Sequence, residues 1–229
     1  MISKPKNWST HPDNKITFTQ KILSHISLKV REEQFNILWK LVKPTKKFTV
    51  LDVGVRADET LVDSNFFEKR YPYPRNLTAV SIEDVKKLRR KYSGIRFKRI
   101  IAGRPLPFKT NYFDVVVSWA TIEHVGGRNE QQLFLNELFR VGRKVFITTP
   151  DRNFFYEPHS GLIFVHWFPH KYFSLMCILS GKNFWAKIEN LNPLNNKAVH
   201  KLISRKKGTR VISYKMFGFF PTHLIVVKI

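Results

Sequence analysis

The chain opens polar, and its first periodic apolar run is helical. Ile26, Val30, Phe35, Leu38 and Leu41 follow helical spacing until Pro44, which cannot continue a helix. From Phe48 the pattern changes to short β-rich runs. Residues 48–54, 77–81, 97–101, 113–118 and 144–149 each read as a strand. The fourth is nearly continuous in apolar residues, as a strand buried on both faces requires. Residues 86–92 read as a basic helix, and 130–141 as a helix with Leu133, Leu135, Leu138 and Val141 among its apolar positions.

Strands that alternate with helices imply crossover units and a parallel sheet. After Pro150 that rhythm breaks. Residues 151–200 are aromatic, Pro-containing and irregular, which suits an insertion or lid. Residues 211–216 and 223–229 then read as two further strands joined through Gly218 and Pro221. The expected fold is α/β: a mostly parallel sheet with helices on both faces, an antiparallel closing hairpin, and an aromatic insertion before it. A helical extension at 1–45 precedes one domain at 46–229, which contains the insertion 151–200. A length of 229 residues fits one domain with an elaboration.

Charge changes the picture more than composition does. Forty Lys and Arg stand against 17 Asp and Glu, a net charge of +23, in a chain that is 43% hydrophobic. Residues 152–229 alone hold 12 basic and 2 acidic side chains. So basic a protein attracts phosphates, nucleic acid, anionic lipid or acidic metabolites. One cysteine, Cys177, excludes an intramolecular disulfide framework and points to a reducing, cytoplasmic setting. Residues 1–20 lack the apolar core of a secretory signal. The most apolar stretch, 162–179, is interrupted by His166, Pro169, His170 and Lys171, so no membrane span is expected there.

The turn after Val50-Leu-Asp-Val-Gly54 lies at the carboxyl edge of a parallel sheet, where ligands of open α/β sheets bind. Downstream come Leu106-Pro-Phe108, Asn111-Tyr-Phe-Asp114, Val115-Val-Val-Ser-Trp-Ala120 and Ile122-Glu-His-Val125. With the helix after Gln131 and the strand ending Thr148-Thr-Pro150, these pieces resemble, in order, the class I S-adenosylmethionine-dependent methyltransferases. Asn65-Phe-Phe-Glu68, Tyr71-Pro72, Ile82-Glu-Asp84, Glu157-Pro-His159 and His166-Trp167 are similar to a bacterial subgroup of that family, with methyltransferase domains of type 11. The resemblance implies a Rossmann-like fold, S-adenosylmethionine as cofactor and methyl transfer as the activity.

By that resemblance Asp52, Gly54 and the turn 55–58 face the methionine half of the cofactor. Ser81 stands where the ribose-binding acid usually lies, so Glu83 or Asp84 substitutes. Gly103 or its neighbour Ala102 lies at the adenine, and Ser118 and Trp119 lie beside the transferred methyl. The usual Gly-x-Gly-x-Gly loop is reduced to Gly54-Val-Arg-Ala-Asp58. His124 and His159 are the candidate bases, because imidazole removes a hydroxyl proton near neutral pH. His159, His166 and His170 have helical spacing, but Pro158 and Pro169 oppose a continuous helix, so no metal is expected.

The implied acceptor is a small molecule or glycan, as in cell-surface polysaccharide assembly. The basic, aromatic second half suits an anionic or lipid-linked acceptor and peripheral contact at the inner membrane face. RNA methylation, which the charge favours, and a non-catalytic binding protein, which the degenerate loop favours, are the alternatives. Neither oligomeric state nor the atom methylated follows from the sequence.

Overall fold

The computed structural model describes residues 18–229. Those residues include six helices, nine strands and three short 3-10 turns. Seven strands form one sheet in the order β3-β2-β1-β4-β5-β9-β8. They are β1 (Val50–Val53), β2 (Leu77–Ser81), β3 (Arg96–Arg99), β4 (Phe113–Trp119), β5 (Gly142–Pro150), β8 (Thr209–Met216) and β9 (Phe220–Lys228). β1 pairs in parallel with β2 and β4, and β2 with β3, whereas β8 and β9 are antiparallel. The order reverses at β1, whose neighbours lead away in opposite directions, and this makes the β1/β4 boundary the topological switch point. Helix α4 (Arg128–Val141) leads into β5.

The chain folds as two compact units. The first runs as far as Ser118 and adds Glu137–Phe146 and Ile229. Here β1 and β2 are buried at every position. Helix α1 (Phe18–Val42) covers part of this core with Val30, Phe35, Leu38 and Val42. Ile26, counted on that face from spacing, is exposed, and so is Leu133 of α4. Phe35 meets Phe66 and Phe67 of α2 (Phe66–Arg70), each with ring centroids 6.0 Å apart. Fully burying one such ring is worth ~1.5–3 kcal/mol. Lys144 donates its ammonium to the Val42 carbonyl at 3.1 Å, satisfying one orphan group at the negative end of α1. Gly142 opens β5 because a Cβ there would lie 2.6 Å from Val116 Cγ2. Edge strand β3 shows Arg96, Lys98 and Arg99 to solvent, charges that discourage edge pairing.

The second unit comprises Trp119–Asn136 and Ile147–Lys228. The stretch expected to be irregular carries its own elements: a hairpin of β6 (Tyr156–Glu157) and β7 (Leu162–Ile163), a 3-10 turn at Val165–Trp167, α5 (His170–Leu179) and α6 (Asn196–Ile203). Asn195 caps α6 by accepting from Ala198 N at 2.9 Å. Helix α5 buries Phe173 and Cys177 and exposes Tyr172, Leu175, Met176 and Leu179 on one outward face. No helix among the described residues is long and apolar enough to cross a membrane. Of the helical extension expected at 1–45, residues 1–17 lie outside the described residues, and α1 accounts for most of the rest.

Candidate functional site

In the first unit the turn after β1 is built without the usual glycines. Gly54 takes φ 114 and donates to the Val80 carbonyl at 3.0 Å, a backbone shape that favours glycine. Beyond it, Asn65 grips the loop from both sides: its Oδ1 accepts from Arg56 N at 3.0 Å, and its Nδ2 donates to the Arg56 carbonyl at 2.8 Å. Asn65 itself sits at φ 47, a left-handed conformation that asparagine tolerates. The first brace of the loop is therefore one side chain.

Glu83 makes the second brace. Its Oε2 accepts from Ala57 N at 2.6 Å, while its buried Oε1 has no hydrogen-bond partner. A buried carboxylate oxygen left in this way calls for a donor. Asp84 is exposed, and its Oδ1 accepts from Lys86 N at 3.0 Å, at the start of α3 (Lys86–Lys91). Ser81, at the position usually held by an acid, accepts from Glu83 N at 3.1 Å through its hydroxyl and so fixes the turn that presents Glu83. Gly103 lies exposed in a turn at φ 73 with open space where a Cβ would stand. Ser118, wholly buried, donates to the Val53 carbonyl at 2.8 Å and ties the carboxyl end of β4 to that of β1.

Asp52 is buried, with the buried carboxyl of Glu68 of α2 as its charged neighbour. Burial first, and then the neighbouring Glu68 charge, hold the Asp52 carboxyl well above its ordinary range; Arg31 opposes this. Burial raises Glu68 as well. Two carboxyls in contact with little water cannot both ionise, so the pair retains a proton. Glu68 was not assigned a role from the sequence, since nothing in Phe66-Phe-Glu-Lys-Arg70 marks it as buried.

In the second unit a polar chain runs through the two candidate bases. His124 ends the 3-10 turn Ile122–His124, which follows β4 after Ala120, a non-glycine residue at φ 47. Its Nδ1 donates to the Asn190 carbonyl at 2.9 Å, and its Nε2 lies 3.0 Å from His159 Nε2. His159 Nδ1 in turn lies 2.8 Å from Glu157 Oε1. A carbonyl and a carboxylate only accept, so both outer ring nitrogens carry hydrogen, which leaves the two Nε2 atoms facing each other as the sites for a proton or another cation. Burial alone would raise Glu157, but the His159 charge and hydrogen bonds from His159 and Ser160 hold it down at about 2.

Glu123, buried beside His124, accepts from the Thr149 hydroxyl at 3.0 Å through Oε2. The three histidines at helical spacing are not brought together. His166 instead reaches the Phe154 carbonyl at 2.7 Å and, with His170, lines a separate cavity of about 120 Å³ together with Arg152. The partnership of His124 with His159, 35 positions on, has no sequence spacing that would announce it. The nearest signal is the Glu157-x-His159 pair.

Residues 65–145 match the model of a family described as a methyltransferase domain. The chain thus carries a methyltransferase domain at 65–145, on a Rossmann-like fold that solved S-adenosylmethionine-dependent methyltransferases share. The fold of this chain is similar to that of the PH0226 protein from Pyrococcus horikoshii OT3, at TM-score 0.56 and 15% identity, over 96% of both chains. It is also similar to magnesium protoporphyrin IX methyltransferase from Synechocystis PCC 6803, solved with bound S-adenosylhomocysteine. That match has TM-score 0.54 and 11% identity, and covers 97% of this chain and 93% of the other. A methyltransferase from Aquifex aeolicus matches at TM-score 0.51 and 16% identity, over 85% and 87%. No curated protein matches this chain.

Proposed function

We propose that the protein methylates an oxygen of a small-molecule or glycan acceptor, with S-adenosylmethionine as donor. The cofactor side rests on the first unit. The orphaned Glu83 Oε1 beside the β1 turn offers the acceptor that a ribose diol needs, and this gives the ribose role to Glu83 and leaves Asp84 at the start of α3. Asp52 and the Gly54 turn take the methionine half, Gly103 the adenine, and Ser118 with Trp119 the neighbourhood of the methyl. When bound, the cofactor supplies an activated methyl on sulfur. What the chain supplies is position, and a group that takes the proton an acceptor hydroxyl gives up.

The observation that carries the acceptor reading is the Glu157–His159–His124 chain. It couples two imidazoles to a buried carboxylate, the arrangement by which a base is oriented and its proton stabilised. The same unit exposes the apolar face of α5 and also Phe155, Phe164 and Trp167, whose rings pair in series, in a segment nearly free of acids. These features support a lipid-linked, anionic acceptor met at the inner membrane face, where apolar and basic groups act together. The test incubates the protein with labelled S-adenosylmethionine and a lipid-linked oligosaccharide fraction. Label should pass to that fraction, and His159→Ala should abolish the transfer while changing affinity for the demethylated cofactor less than about two-fold, ~0.4 kcal/mol. Undiminished transfer by the variant would reduce His159 to a packing residue.

An RNA acceptor is the second reading, favoured by one observation in the first unit. Besides the exposed basic residues of α3, this unit has a groove of about 330 Å³ lined by Arg96, Lys98, Phe108 and Tyr112 among others. Phe108 and Tyr112 stack at 5.9 Å, and the Lys98 ammonium lies 5.5 Å from the centre of the Phe108 ring. Phosphate and base contacts of this kind weaken steeply with salt. Salt-sensitive methyl incorporation into RNA, with none into lipid-linked oligosaccharide, would decide for it.

A further inference from the structure

We infer that Glu123, His124 and His159 form a binding site for one divalent transition-metal ion of the Zn²⁺ class. One donor atom from each of the three lies within 4.8 Å of the other two. The two Nε2 atoms are 3.0 Å apart, and Glu123 Oε1 is 3.9 Å from His124 Nε2. Nitrogens bound to one ion at ~2.0–2.1 Å, at angles between right and tetrahedral, stand about 2.9–3.4 Å apart. The imidazole pair already has that spacing, and the carboxylate, 3.9 Å from one imidazole and within 4.8 Å of the other, needs to move in by about an ångström or more.

Each ligand is also held from behind, on the atom that would not face the ion. His124 Nδ1 donates to the Asn190 carbonyl, His159 Nδ1 to buried Glu157, and Glu123 Oε2 accepts from Thr149. Outer partners of this kind fix the ring tautomer so that Nε2 faces the metal, and they orient the carboxylate. Two imidazoles select a borderline ion over Mg²⁺ or Ca²⁺, which prefer all-oxygen shells. Three protein ligands leave a coordination position open, as in catalytic rather than structural sites.

The chemical role rests on the methyl-transfer reading above. An acceptor hydroxyl at the open position would lose its proton to water more readily, since the cation stabilises the alkoxide. That oxygen then bonds the methyl carbon as the methyl–sulfur bond breaks and its electron pair leaves with sulfur.

Binding itself is tested apart from activity. Tag-free protein stripped with a chelator is titrated with ZnCl₂ and, separately, with CoCl₂, whose visible absorption reports nitrogen and oxygen ligation. One equivalent of either ion is expected, with affinity at least ten-fold weaker in Glu123→Gln and His124→Ala. Should those buried variants not fold, His159→Ala, whose side chain is 23% exposed, carries the comparison. No uptake by the wild-type protein overturns the site, and so does uptake that every folded variant retains. Binding of S-adenosylhomocysteine is measured on the same samples. Its loss in metal-free wild-type protein would count against the methyl-transfer reading, whereas its retention without metal uptake would count only against the site.

Discussion

Replacing Glu83 by Gln removes one charge and almost no volume. The side-chain carbonyl can still accept from Ala57 N, now at 2.6 Å from Oε2, so the loop brace survives in weakened form. What changes is the other oxygen, buried and without a partner, which becomes an amide that donates where a diol needs an acceptor. Losing a hydrogen bond to a charged group costs ~1.5–3 kcal/mol. That corresponds to about ten- to a hundred-fold weaker binding of S-adenosylhomocysteine. Isothermal titration measures the affinity, and thermal unfolding of the ligand-free variant checks that the fold is intact. Asp84→Asn, at an exposed position serving the start of α3, should bind within about two-fold of wild type, ~0.4 kcal/mol. Wild-type affinity in a folded Glu83→Gln variant would refute the reasoning, as would an equal loss in Asp84→Asn.

Glu68→Gln should stabilise the protein increasingly as pH rises. In the folded chain Asp52 and Glu68 keep a proton that the unfolded chain releases near pH ~4. Stability is therefore lost as pH climbs from there through the raised folded values, and the amide relieves that loss. Melting curves from pH 5 to 8 should diverge from wild type, and parallel curves would contradict the shared proton. Cys177, buried in α5 with burial foremost pushing its thiol up to about 11, should resist a thiol-titrating disulfide reagent at pH 8. One thiol should react on denaturation, and rapid reaction in the native state would show that α5 opens.

The sheet was legible because strands buried on both faces write long apolar runs. Val115-Val-Val117 and Val145-Phe-Ile147 leave no other reading, and the structure departs from the expected strands mainly at their ends. Shorter elements were lost. Helix α5 alternates buried Phe173 and Cys177 with an equally apolar outward face, so its residues lack the polar side that marks a surface helix. The turn at Gly54 could be found from local residue types. The contact of His124 with His159, and of Asp52 with Glu68, comes from tertiary folding, which no local period records.

The grip of Asn65 on Arg56 relocates a constraint. A glycine-rich turn spreads its demand over several positions, each of which must keep its special residue. Here residues 55–58 need no special backbone, and the burden falls on one amide at φ 47. Drift in sequence can therefore pass through the turn itself at small cost, while a change at position 65 releases the Arg56 backbone and leaves only the Glu83 brace at Ala57. The vulnerable position of this turn lies nine residues away from the backbone it holds.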